Sequence, residues 1–234
     1  FAPSVHGQKM VIRILDPATV PQNTHELYLS NGMHHTIREL LAQQAGMMLV
    51  CGPTGSGKTT TLYALLRDLE IKKRNVVTIE DPVEYKIDGI TQLPVNKQAG
   101  NTFNVLLESV LRQDPDVILL GEIRDPQTAR TAMQAAMTGH LVLSTVHAKD
   151  TLGAIVRLLD LEVEPSLLSS SLNLILAQRL VRRLCPACKA PSKLTSDQRA
   201  LIGDHSADIR RVYTPVGCPR CLDTGYRGRH ALFE

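Results

Sequence analysis

The sequence predicts an α/β fold built on a mostly parallel sheet with helices on both of its faces. Three observations predict it. Short, fully apolar or β-branched runs fit strands buried on both sides, amphipathic helical stretches alternate with them, and a complete phosphate-binding loop stands where the first run meets the helix after it. That loop is Gly52, Pro53, Thr54, Gly55, Ser56, Gly57, Lys58, Thr59 and Thr60, directly after Met47, Met48, Leu49, Val50 and Cys51. The glycines let backbone N–H groups turn inward around phosphate oxygens, and the following helix aims its positive end at them. Lys58 reaches the outer phosphates and Thr59 offers a hydroxyl to a magnesium ion, so a nucleoside triphosphate is the expected ligand.

The chain of 234 residues, 43 % of them hydrophobic, is long enough for one large core with appendages. Its 26 Lys and Arg against 23 Asp and Glu leave a net charge of only +3, so bulk charge implies no general attraction to nucleic acid or anionic lipid. No apolar run approaches the roughly 18 residues of a membrane span, and no signal-peptide pattern opens the chain, which makes the cytosol the expected location. The first residue is Phe1, and the apolar run Ala231, Leu232, Phe233 stops at Glu234. Both ends read as cut from a longer protein.

From the start, Met10, Ile12 and Ile14 alternate with Val11, Arg13 and Leu15, a half-buried strand pattern broken by Asp16-Pro17 and Pro21. Residues 1–29 read as the tail of a preceding domain plus a linker. After the phosphate loop, Leu62, Leu65, Leu66 and Leu69 fall at helical spacing. Val76, Val77, Thr78 and Ile79 form a second strand, closed by Glu80-Asp81-Pro82, where the proline favours extended backbone before it. Asp116 introduces Val117, Ile118, Leu119 and Leu120 as a third. The next helix has Asp125 as N-cap, Pro126 in its first position, a stripe at Ala129, Ala132, Met133, Ala136 and Met137, and Gly139 as stop. Leu141, Val142 and Leu143 supply a fourth strand.

Ligands of open parallel sheets bind beyond the carboxyl ends of the strands. Lys58, Glu80 and Glu84, Glu122, and His147 each follow one of the four strands and should gather at one edge, whereas Asp116 and His140 precede theirs and should be structural. Hydrolysis of a phosphoanhydride needs a metal to gather the phosphates, a positive charge, and a carboxylate to orient water. Glu122 is the expected water-orienting base, Glu80 and Glu84 could hold metal-bound water or assist it, and His147 could contact the γ-phosphate. In most phosphate-loop enzymes an Asp ends the third strand and holds magnesium, but here that position is Gly121 and the acid comes one residue later.

Glu80-Asp-Pro-Val-Glu84-Tyr85, Arg112-Gln-Asp-Pro-Asp116 with Gly121-Glu-Ile-Arg-Asp125, and Thr138-Gly-His-Leu-Val-Leu-Ser-Thr-Val-His147 resemble the Asp box, the Gly-Glu Walker B segment and the His box of the secretion ATPases, the cytoplasmic motors of type II secretion and type IV pilus assembly. The match runs from about Gly7 to the last residue. The resemblance implies a hexameric, magnesium-dependent ATPase with a RecA-like phosphate-loop core, Glu122 as general base, and partners among the inner-membrane components of the machine. It also implies arginines from the preceding domain near the γ-phosphate, of which Arg13 fits one. Leu107-Glu108 departs from the Leu-Arg usual in the family.

Cys185-Pro-Ala-Cys188 and Cys218-Pro-Arg-Cys221 are two C-x-x-C pairs separated by 29 residues, able to place four thiolates around a structural zinc. Thr195 with Gln198 reads as a capping box of a short helix in the excursion between them. Cys51 is left over as a small core residue. The flanks Gln178-Arg-Leu-Val-Arg-Arg-Leu-Cys185 and Gly217 to Arg229 also resemble the secretion ATPases, and the tetracysteine element favours secretion or pilus-extension members over retraction members. The expected division is residues 1–29, the end of a PAS-like α/β domain and linker; 30–181, the ATPase core; 182–229, the zinc subdomain; and 230–234, the truncated start of a C-terminal region.

The competing class is a zinc-bearing RecA-like helicase or nucleic-acid translocase. Only 3 % of residues are aromatic, none is Trp, and no basic stripe stands out, so base-stacking platforms are scarce. Intact Lys58 and Glu122 argue against a subunit that binds nucleotide without hydrolysing it. Asn96-Lys97 is followed by Gln-Ala rather than the x-Asp of a guanine reader.

Overall fold

The computed structural model describes residues 2–12, 21–209 and 211–234. A seven-stranded sheet forms its centre. Its strands are β3 (Gly46–Cys51), β4 (Val76–Glu80), β5 (Thr91–Pro94), β6 (Val117–Leu120), β7 (Leu141–Val146), β8 (Leu172–Leu184) and β11 (Tyr226–Phe233). They lie in the order β11-β8-β3-β7-β6-β4-β5, all parallel except β11, which runs antiparallel on the β8 edge. Two small antiparallel pairs stand apart, β1 (Ala2–Ser4) with β2 (Gly7–Lys9) and β9 (Ala190–Ser192) with β10 (Val212–Thr214). The mixed α/β class with a mostly parallel sheet is therefore the one the apolar runs predict.

Strand alternation sorts the apolar side chains into two cores, one per face of the sheet. Met47, Leu49 and Cys51 of β3 face the core shared with α3 (Phe103–Val110), α4 (Pro126–Met137), α5 (Thr151–Asp160) and α6 (Pro165–Ser171). Met48 and Val50 face the opposite core, closed by α1 (Asn31–Ala42) and α2 (Lys58–Asp68) through Ile37, Leu40, Leu62, Leu65 and Leu66. In α4, Asp125 Oδ1 accepts from Thr128 N at 2.8 Å as the predicted cap, and Gly139 takes the left-handed φ of 111° that ends the helix. The stripe stops at Ala136, because Met137 is exposed.

The strand expected over Met10 to Leu15 does not form where it can be seen. Met10, Val11 and Ile12 belong to no strand and are all exposed, with the β1–β2 hairpin ending before them at Lys9; Arg13, Ile14 and Leu15 lie outside the described residues. The long strand β8 was not foreseen. It crosses positions 181 and 182 without a break and ends at Leu184, next to Cys185, while β11 returns the chain so that Phe233 pairs with Gln178. The two cysteine pairs thus sit on an excursion between neighbouring strands of the central sheet.

Candidate nucleotide site and cysteine cluster

The phosphate loop is shaped by a residue far away in sequence. Gln178 of β8 is buried, its Nε2 donates to Ser56 O at 2.7 Å, and its Oε1 accepts from Thr61 Oγ1 at 2.7 Å. Two of the loop glycines abut it. A Cβ on Gly52 would meet Gln178 O at 2.3 Å, and one on Gly57 would meet Gln178 Nε2 at 2.8 Å, with φ angles of 148° and 91° that already favour glycine. Lys58 Nζ donates to Gly52 O at 2.9 Å and Pro53 O at 3.1 Å, folding the amine over its own loop. Burial pushes the Lys58 pKa down, and the charge of Glu122 opposes that shift. Thr59 and Thr60 occupy the first turn of α2, with Thr59 exposed, as are Pro53, Thr54 and Gly55.

Glu122 stands two residues beyond β6, is only 8 % exposed, and meets two side chains: Arg124 in a close ion pair on Oε1, and His147 with Nε2 3.5 Å from Oε2. His147 directly follows β7, the neighbour of β6, so the strand register brings the two residues to the same edge. The loop between them is fixed by Thr145, whose Oγ1 donates to Gly121 O at 2.8 Å and whose carbonyl accepts from Ile123 N at 2.9 Å. Gly121 prolongs the β6–β4 pairing through its N–H to Ile79 O at 2.8 Å, and a Cβ there would stand 3.2 Å from that oxygen. A side chain at this position would need the backbone of β4 to give by a few tenths of an ångström.

Glu80, the last residue of β4, is buried and accepts from Tyr63 Oη in a close hydrogen bond, Thr78 Oγ1 at 2.5 Å and Gln92 Nε2 at 3.2 Å. Glu84 is half-buried on the loop between β4 and β5, with its backbone N–H on the Tyr63 hydroxyl. At the other end of the sheet, Asp116 Oδ2 accepts from Asn75 N at 2.6 Å and the His140 ring lies 3.0 Å from Ala135 O. These are structural partners, as the sorting by strand ends requires. Glu108 Oε1 accepts from Asn104 Nδ2 at 2.6 Å within α3. Arg13 lies outside the described residues. Sequence reasoning assigned no role to Arg124, Gln178 or Tyr63; the only hint was that paired loop glycines demand a close neighbour.

Cys185, Cys188, Cys218 and Cys221 bring their sulfurs within 4.8 Å of one another. The separations of 4.0 Å for Cys185 and Cys218, 3.8 Å for Cys188 and Cys221, and 3.7 Å for Cys218 and Cys221 match the roughly 3.8 Å edge of a tetrahedron with 2.3 Å zinc–sulfur bonds. Cys221 Sγ accepts from Cys218 N at 3.2 Å and Gly225 N at 3.3 Å. Burial alone would raise this thiol, but those N–H donors and the neighbouring thiols outweigh it and bring its pKa down to about 7. The donor set fits zinc. In the excursion, Thr195 and Gln198 form the reciprocal capping box. Cys51 lies apart, its Sγ donating to Asp150 O at 3.4 Å, with burial pushing the thiol up to about 11.

Comparison with known proteins identifies the family and the fold. A family model described as "Type II/IV secretion system protein" matches residues 1–234. Type II secretion system protein E of Aeromonas hydrophila is 48 % identical over 232 residues, 99 % of this chain and 46 % of that protein. Type IV pilus assembly ATPase PilB of Myxococcus xanthus is 46 % identical over 235 residues, 99 % of this chain and 42 % of that protein. The chain spans about half the length of the curated relatives it matches. Among solved structures, the pilus retraction motor PilT with bound ADP superposes with a TM-score of 0.62 at 34 % identity, covering 73 % of this chain and 51 % of PilT. The ATPase DotB of Legionella pneumophila superposes with 0.59 at 28 % identity, covering 69 % and 47 %. Matched from end to end by that family model, the chain belongs to the type II/IV secretion system protein family.

Proposed function

We propose that this chain carries the ATP-hydrolysing core of a motor that drives type II protein secretion or type IV pilus assembly. The observation that supports this most is the meeting of Glu122 with His147 beside Lys58, on the edge of the sheet that holds the phosphate loop. In this reading the amine of Lys58 leaves the carbonyls of Gly52 and Pro53 for the β- and γ-phosphate oxygens. Glu122 orients water and takes its proton, Glu84 assists it, and His147 reports on the terminal phosphoryl group. Arg124 must then yield part of the Glu122 carboxylate to water. Glu80, already served by three donors, holds the neighbouring loop rather than the substrate. A magnesium ion held by Thr59 would neutralise charge across the β- and γ-phosphates. The four cysteines hold a structural zinc.

The wider assembly belongs to the same proposal: a homohexamer in the cytoplasm, engaging inner-membrane components of the machine, with Arg13 reaching a γ-phosphate. Among the described residues no helix is long and apolar enough to cross a membrane. The cysteine cluster and the similarity to secretion protein E and PilB favour secretion or pilus extension over retraction. The test is Glu122→Gln, expected to keep ATP affinity within about twofold while turnover falls by about 10² or more, as loss of a general base does. Unchanged steady-state ATPase would remove Glu122 from the role and with it the mechanism.

A further inference from the structure

Tyr63 stands one helical turn beyond Thr59 on α2, fully buried. Its hydroxyl donates to the Glu80 carboxylate and accepts from the backbone N–H of Glu84, so both hydrogen-bonding functions of the phenol are spent on the segment that carries the two acids. The ring meets Tyr85 edge-on, with centroids 4.5 Å apart at 78°. Gln92 of β5 closes the loop from the other side. Its Nε2 donates to Glu80 Oε1 and to Tyr85 O, each at 3.2 Å, and its Oε1 accepts from Ile87 N at 2.8 Å. Three backbone groups of one short loop, Glu84 N–H, Tyr85 C=O and Ile87 N–H, are therefore tied to Tyr63 and Gln92, and both ties meet at Glu80.

We propose that Tyr63 is a positioning residue that holds the Glu84 loop in register with the first turn of the phosphate-loop helix. The inference rests on the reading of Glu84 as part of the hydrolytic site. Apolar packing already joins α2 to the sheet through Leu62, Leu65 and Leu66, so the hydroxyl is not needed to attach the helix. A buried phenol carries a desolvation cost that a Phe would avoid, and the geometry points to what that polar group does: it sets the distance between Thr59 and Glu84. Burial, and then the hydrogen bond to Glu80, keeps the phenol protonated far above neutral pH, so the tie does not open with ordinary changes of pH.

Tyr63→Phe keeps the ring and its contact with Tyr85 and removes only the hydroxyl. Its expected effect is a fall in kcat of about tenfold with the KM for ATP within about twofold, because a misplaced acid loses transition-state rather than ground-state interactions. Glu84→Gln should fall similarly, and the double variant should be no slower than Glu84→Gln alone, since one residue acts through the other. Gln92→Leu cuts the loop tie without touching α2 and should reproduce the same non-additivity if Tyr63→Phe folds poorly. Wild-type kcat in Tyr63→Phe, or losses that multiply in the double variants, would overturn the proposal. Wild-type kcat in Glu84→Gln while Glu122→Gln is inactive would also overturn it, leaving the hydrolytic reading intact; wild-type kcat in both would bring down the two together.

Discussion

Glu122 and His147, from the ends of adjacent parallel strands, approach to 3.5 Å, while Arg124 holds the other oxygen of the same carboxylate. In the proposed role of general base, Glu122 needs one of these contacts to give way before it takes a proton from water. Both side chains are about half exposed, but His147 makes the looser contact, its distance longer than a hydrogen bond where Arg124 makes a close ion pair.

His147→Ala should therefore cost turnover and leave the fold alone. An exposed ring contributes little burial, so the melting temperature is expected to stay within about 2 °C, whereas kcat should fall by about tenfold to a hundredfold, the range for a group that assists a base. Steady-state ATPase assays with thermal melts check both halves. An unchanged kcat would place His147 outside the reaction.

Gln178 makes a sharper prediction about the loop. Gly57→Ala drives a Cβ to 2.8 Å from Gln178 Nε2 at a φ of 91°, whereas Gly55→Ala, at φ 76°, meets nothing within 4 Å. Gly55→Ala should cost only the left-handed backbone strain, about 1 kcal/mol. Gly57→Ala adds a displaced buried amide and the loss of its bond to Ser56 O, about 1–3 kcal/mol more. ADP binding measured by calorimetry should weaken at least tenfold more in Gly57→Ala than in Gly55→Ala. Equal affinities would mean that Gln178 does not hold the loop.

What could be read from the residues alone follows from the range of the forces involved. The phosphate loop, the α4 stripe as far as Ala136 with its Asp125 cap, and the four buried strands are local patterns of period, cap and turn, and they stand where the sequence places them. The sorting of Glu122 and His147 to one edge needed only the strand assignments. Gln178 was illegible because its partners lie more than a hundred positions away and no spacing rule connects position 178 to position 56, while Tyr63 and Gln92 meet Glu80 at separations of 17 and 12 between different elements, where neither helical nor strand period applies. The 13-residue β8 was missed because its outer half, Arg179 to Leu184, carries three arginines and alternates poorly, while pairing with β11 supplies the order that the pattern lacks. Met10 to Ile12 erred the other way, since a clean alternation did not find a strand partner among the described residues.

The cysteine cluster predicts a stoichiometric and local response to metal loss. Wild-type protein should contain about one zinc per chain by elemental analysis, and Cys218→Ser should lower both that ratio and the melting temperature. Because the excursion leaves the sheet after β8 and rejoins it at β11, chelation should raise amide exchange over residues 185–225 while Gln178 and the phosphate loop stay protected. Absence of zinc in freshly purified protein, or uniform loss of protection across the sheet, would refute the assignment.

The segment before α1 should make stability fall on acidification. Thr24, fully buried, donates its hydroxyl to Asp68 on α2 and lies 2.9 Å from His34 Nε2 on α1, so one side chain joins the segment before α1 to both helices. Desolvation lowers the His34 pKa from 6.5, and His25, whose ring lies 4.1 Å away, lowers it further, as does Arg38; Asp68 opposes them. With the folded pKa below the unfolded one, the unfolded chain binds more protons between the two values, so stability drops as pH falls through about 6.5 toward the lowered value and is unaffected above it. His34→Gln cannot take up that proton. The difference in melting temperature between pH 7.5 and pH 5.5 should be smaller in His34→Gln than in wild type, and identical differences in the two proteins would show that His34 does not carry the acid sensitivity.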